Sequence, residues 1–259
     1  MKILLIYNIK HLLKVKWLWA YFLLLFLLTF AFFYMSEDIT KVSVSILNLN
    51  LLIVPLVSAI LTTAYFYDSQ EFIKFLLTQP ISRKKVLLST FLALYFLLAL
   101  FYLAGTFPVG LLGIQSYEEF KLFLITILSG VLLTGVFVSI SLLISVIFND
   151  RVKGISFILI LWIYLTILHD SLILSLIYIF KDYPIEKPIF LLIFLNPVDL
   201  SRLLVVLNLD IAALLGVSGL LVKNFIGSFL GLLCSFLTLT LWITFPIVLG
   251  ILVFNRKDL

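Results

Sequence analysis

The sequence predicts an all-α integral membrane protein: six transmembrane helices, an amphipathic helix before the first, and short helices in two of the connections. Two observations carry this. Apolar residues make up 64% of the 259 and charged residues 12%, and the mean hydropathy is +1.28. Water-soluble domains run at about 45–50% apolar and about 25% charged. A soluble fold of this size has too little interior to hide so much oil, so lipid covers part of it. The second observation is the length of the apolar runs, near 17–35, 46–67, 86–113, 120–148, 155–180 and 225–254. Each meets the roughly 20 residues a helix needs to cross a bilayer core. None shows the two-residue alternation of a barrel wall. The chain reads as a single membrane domain over 1–259, with no repeat and no low-complexity linker.

Residues 3–16 come first. Ile3, Ile6 and Leu13 interleave with Lys2, Lys10 and Lys14, the pattern of an interfacial helix whose lysines reach the headgroups. No small-residue cleavage site follows the first span, so this segment is expected to be retained. The basic residues then orient the bundle. One side collects Lys2, Lys10, Lys14, Lys16, Lys74, Arg83, Lys84, Lys85, Arg151, Lys153, Arg256 and Lys257, twelve of the 18. Acidic residues lean to the other side. The positive-inside rule therefore predicts cytoplasmic termini. The net charge of +5 belongs to these membrane borders, and no nucleic-acid partner is expected.

Between the second and third spans stands FIKFLLTQPISRKKVL, 72–87. Asp68 is placed to cap a helix, with Glu71 three residues on. Phe72, Ile73, Phe75, Leu76 and Leu77 fall on one arc, opposite Gln70, Glu71, Lys74 and Thr78. Pro80 ends the helix, and Ser82 is placed to cap the third span. Chemistry alone leaves two readings, an interfacial anchor or a docking helix for a cytoplasmic partner.

Between the fifth and sixth spans stands LNPVDLSRLL, 195–204. Asn196 reads as an N-cap, Pro197 as the first helical residue, and Asp199 as an acid at the positive helix end. Arg202 lies within reach of Asp199 for a surface pair of about 0.2–0.5 kcal/mol. Inside the fifth span, Asp170 sits near mid-membrane, where an unpaired carboxylate costs about 3 kcal/mol or more. Thr166, one turn back, is placed to hydrogen-bond it, and His169 points about 100° away. Asp170 is either packed with a partner or faces a translocation route. In the last span Gly227 and Gly231, extended by Ser235, form a close-packing stripe, within the chain or between copies. Pro55, Pro108 and Pro246 are expected to kink their spans.

Several activities are disfavoured. Cys234 is the single cysteine, and the histidines are His11 and His169. A disulfide and a metal site therefore lack ligands, and no metal is expected here. Gly130 and Gly135 have the spacing of a phosphate loop but are followed by Val-Phe within a span, so no ATP site is expected. An intramembrane enzyme needs paired catalytic groups, and a secondary transporter needs paired charges or repeated halves.

The loop at 68–83 resembles the first cytoplasmic loop of type-2 ABC exporter permeases, whose pattern is an acidic lead-in, Gly-Thr, then L-L-x-x-P-x-x-R. Leu76, Leu77, Pro80, Arg83 and the acidic Asp68 match; Glu71 and Phe72 stand where Gly-Thr would be. The resemblance implies a non-catalytic permease whose helix at 68–79 couples it to separate ATPase subunits, with ATP and magnesium bound on those partners and none in this chain. LNPVDLSRLL and Asp170 are in turn similar to the permeases of nitrous-oxide-reductase maturation transporters. That likeness implies a homodimer and a periplasmic β-helical copper-chaperone partner contacting Asn196, Pro197, Asp199 and Arg202. It also implies a part in building a copper–sulfide centre, with a sulfur species moved. The alternative within the class is export of a lipid, antibiotic or peptide.

Overall fold

In a computed structural model, residues 2–36, 38–180, 186–208 and 228–257 are described, and among them every regular element is helical. In order they are α1 (Lys2–Leu12), α2 (Lys16–Ser36), α3 (Ile39–Asp68), α4 (Gln70–Leu77), α5 (Arg83–Gly110), α6 (Tyr117–Ile147), α7 (Arg151–Ile163), a π-helical turn (Tyr164–Leu168), α8 (His169–Ile179), α9 (Glu186–Phe194), α10 (Pro197–Val206) and α11 (Ser228–Arg256). Six helices are long and apolar enough to span a membrane: α2, α3, α5, α6, the continuous α7–π–α8 rod and α11.

The second span starts at Ile39 rather than Ile46, because the Asp38 carboxylate caps it by accepting from Thr40 N at 2.9 Å. The fourth starts at a capping box: Ser116 accepts from Glu119 N, while the Glu119 carboxylate accepts from Ser116 N. Asp150 caps α7 through Val152 N at 2.7 Å. The third span ends at Gly110, short of 113, in a turn. Pro55, Pro108 and Pro246 all lie within helices.

The pillar of the fold is α6. Its most apolar window is 83% buried, against 22% for the windows of α2, α7–π–α8 and α11. It packs on α3, α5, α10 and α11; α2 closes on α5 and α3, and α7 lies on α3. The outward faces of α2 and α7–α8 carry large exposed side chains, among them Leu23, Leu27, Ile160 and Ile167. In a chain this oily, such faces are the surface offered to lipid or to another subunit.

Several hydroxyls in the spans meet the lipid constraint by bonding back onto the helix. Thr63, Thr90, Thr106, Thr126 and Thr134 each donate to the carbonyl four residues before. Between helices, Asn50 of α3 donates to Thr126 O at 2.8 Å and Ser129 Oγ at 3.2 Å, tying α3 to α6. Gly130 makes room for this junction: a Cβ there would stand 2.3 Å from the Tyr102 hydroxyl and 2.8 Å from Asn50 Oδ1. Gly130 and Gly135 are thus interior α6 positions, and Gly135 faces Ile243 and Tyr95. Of the small-residue stripe in the last span, Gly231 and Ser235 are buried, and Gly227 lies outside the described residues.

Both described termini share an end with α4. Tyr7 of α1 stacks on Phe72 of α4 at 4.6 Å, and Tyr65 donates to Asn8 at 3.3 Å. Helices α9 and α10 lie at the opposite end, with α10 against α6, α11 and the π turn.

Candidate functional site

Two clusters organise the two ends of the bundle. At the near end, α3 runs on through Asp68, and Ser69 starts α4 one residue later without a side-chain cap bond. The expected Asp68 cap is therefore not made. Its carboxylate instead accepts from Arg151 Nη1 at 2.6 Å, joining the end of α3 to the start of α7. Ser82 likewise precedes α5 with its hydroxyl making no cap bond.

The α4 apolar arc splits. Ile73 and Leu76 are buried in the main core, Phe72 and Leu77 pack on its edge, and Phe75 is 59% exposed. Glu71 and Lys74 are exposed beside it. Leu76 thus holds the helix to the bundle, and Phe75 is the large apolar side chain of α4 left facing outward. Thr78 donates to Phe75 O at 2.8 Å, finishing the helix before the exposed Pro80. Arg83 is half-buried and reaches the end of α11. Its Nη1 donates to Phe254 O at 2.9 Å and Asn255 O at 3.5 Å, and also to Lys257 O.

At the far end the LNPVDLSRLL segment folds as its local signals ask and then does more. Asn196 Oδ1 accepts from Val198 N at 3.0 Å as an N-cap, and Pro197 opens α10. The Asn196 amide donates to Leu165 O at 2.8 Å and to Asp199 Oδ2 at 2.9 Å. Leu165 lies in the π turn, where the chain bonds back five residues, His169 N to Tyr164 O. The cap of one helix thus holds the irregular turn of another.

His169 and Asp199 are buried together, Nδ1 to Oδ2 at 2.7 Å. With Asp199 ionised, Nδ1 is the donor. Arg202 makes a bidentate pair with Asp170, Nη1 to Oδ1 at 3.0 Å and Nη2 to Oδ2 at 2.8 Å. Its Nη1 stands 3.6 Å from Asp199 Oδ1. Burial, and then the neighbouring Asp170 carboxylate, push Asp199 up to about 6. Burial pulls Arg202 down, but Asp170 and Asp199 outweigh it and hold its guanidinium above its ordinary value.

This geometry revises four expectations. The Asp199–Arg202 contact is the weaker arm of a largely buried network, not a surface pair. Thr166 does not reach Asp170; it donates to Trp162 O at 2.7 Å, as a helical threonine does. Asp170 is the twentieth residue of a 29-residue rod, about 28 Å along it from Arg151 and so toward one membrane border rather than mid-span. Asn196, Pro197 and Asp199 are turned into the chain, while Arg202 stays 39% exposed. The π turn left no local signal, since YLTIL contains neither glycine nor proline.

Among the described residues no group of three or more His, Cys, Asp or Glu side chains is placed to hold a metal. His169, Asp170 and Asp199 are engaged with one another, with Asn196 and with Arg202, an arrangement that fixes helix positions.

Six apolar spans, a short helix at one end and a charge-locked helix pair at the other define a multi-pass membrane protein. The chain belongs to the ABC-2 family of transporter proteins, whose family model matches residues 3–259. It is a permease subunit of an ABC transporter, of a family that is generally non-catalytic and works with a partner ATPase. No curated protein matches the chain.

Proposed function

We propose that this permease works as a homodimer in a bacterial inner membrane, with both termini cytoplasmic, and receives its ATPase at α4. The observation that carries the docking role is Phe75. It stands 59% exposed beside Glu71 and Lys74, on a helix held to the bundle by Ile73 and Leu76. An exposed aromatic on a fixed helix, flanked by charges, is the kind of anchor a partner cleft takes. Twelve of 18 basic residues fall on the same side as α4, which supports a cytoplasmic location. ATP and magnesium belong to the partner subunits. Closure of two ATPases would press on α4 and tilt the spans joined to it.

The particular duty we propose is maturation of the copper–sulfide centre of nitrous oxide reductase, with a sulfur species as the transported substrate. The support is the resemblance of LNPVDLSRLL and Asp170 to permeases of that system, strengthened by the pairing of Asp170 with Arg202 across 32 residues. Two residues that carry the resemblance act as one unit, so they belong to one device. With Asn196, Pro197 and Asp199 turned inward, the outer partner would meet Arg202 and the surface that these residues shape. Export of a lipid, antibiotic or peptide is the alternative.

Copurification tests both levels. Affinity capture of the permease from cells grown under nitrous-oxide-respiring conditions should recover an ABC ATPase and a periplasmic β-helical protein. Recovery of an ATPase without that protein would sink the maturation role and leave the exporter. Recovery of neither would sink the docking role of α4.

A further inference from the structure

Arg83 closes the L-L-x-x-P-x-x-R element, yet it is half-buried and its guanidinium is spent on the end of α11 rather than left free. Its guanidinium sits on the carbonyls of Phe254, Asn255 and Lys257 at the end of α11. The last carbonyls of a helix have no donors within it and carry the negative end of its dipole, so a guanidinium there is a strong ligand. Lys257 then reaches on. Its ammonium donates to Val146 O and Ile147 O, the last carbonyls of α6. Two cations thus cap two helix ends in series.

Packing repeats the connection. Phe254 is 1% exposed and lines a small gap with Ile73 of α4 and Val146 of α6. The end of α11 is a wedge between α4 and the central pillar. The covalent chain links α4 only to α3 and α5; Arg83, at the first residue of α5, carries that path on to α11, and Lys257 carries it to α6.

We propose that Arg83 and Lys257 are positioning residues that tether the start of α5, directly after the α4–α5 loop, to the ends of α11 and α6, so that displacement of α4 moves the last and central spans with it. This rests on α4 being the ATPase contact. Neither residue touches the ATPase. They act by making the α4 end of the bundle one rigid body, and the charge of each, with at least one donor, is what the job requires.

The test uses the permease purified with its ATPase in nanodiscs, in the wild type and in Lys257→Gln and Arg83→Gln. Both variants should keep the ATPase at wild-type stoichiometry and an unchanged KM for ATP. Their kcat for permease-stimulated ATP hydrolysis should drop roughly tenfold, the loss of one charge-assisted hydrogen bond from the transmitting step. Lys257→Arg and Arg83→Lys should restore most of it. Wild-type kcat in either glutamine variant overturns the tether, as does failure of the charge-keeping variants to rescue. Loss of the ATPase from the variants also overturns it, by placing both residues in the docking contact. If Arg83→Gln does not reach the membrane folded, Lys257→Gln decides. A wild-type permease that does not hold the ATPase at all refutes the docking reading instead, and that arm is read before any variant.

Discussion

The two guanidinium nitrogens of Arg202 meet the two carboxylate oxygens of Asp170 at 3.0 and 2.8 Å, locking α10 onto α8. Both side chains are about a third exposed, so water screens part of the attraction. Removing one partner should cost about 1–3 kcal/mol, less than for a fully buried pair. Asp170→Asn and Arg202→Gln should each lower the apparent melting temperature in nanodiscs, and the double variant should lose less than the sum. Strict additivity would show that the pair holds nothing.

Asp199 makes the far end pH-sensitive. Its folded value of about 6 lies above the 3.8 of an ordinary aspartate. A raised group contributes stability that is fully present below about 3.8 and lost as pH rises through about 6. Between pH 4 and pH 7, the wild type should therefore lose stability relative to Asp199→Asn. Parallel melting-temperature curves for the two proteins over that interval would contradict this assignment.

Phe75 and Leu76 are neighbours with opposite fates, one 59% exposed and the other 8%. Phe75→Asp should leave the permease folded and abolish ATPase capture. Leu76→Asp puts a charge in the core and should reduce the folded yield itself, because an unpaired buried carboxylate costs several kcal/mol. Size-exclusion profiles and capture assays on both variants separate the two effects. Undiminished capture by Phe75→Asp would remove α4 as the docking element.

Gly130 tests the interior. A methyl group there would fall 2.3 Å from the Tyr102 hydroxyl and 2.8 Å from Asn50 Oδ1. Gly130→Ala should lower stability by about 1–3 kcal/mol through overpacking, and Tyr102→Phe should relieve part of it. Measured melting temperatures equal to wild type in Gly130→Ala would show that Tyr102 moves aside freely.

The amino-acid sequence by itself determined the class, the span count, the helix stop before Pro80 and the start of α10 at Asn196. Those follow from hydrophobic length and from backbone chemistry within four residues, both local. Which face of each span points inward was not legible, because lipid and protein interior are equally apolar and the oily runs carry little amphipathic contrast. The split of Phe75 from Leu76 depends on what the bundle places behind α4. The Asp170–Arg202 pair, the His169–Asp199 bond and the reach of Arg83 to Phe254 join residues 32, 30 and 171 positions apart. Local rules offered those charges only their own neighbours: Thr166 for Asp170, Asp199 for Arg202, and the membrane surface for Arg83. Tertiary structure decided otherwise, because a charge or polar group drawn out of water binds whichever complementary group the packed helices bring within hydrogen-bond reach.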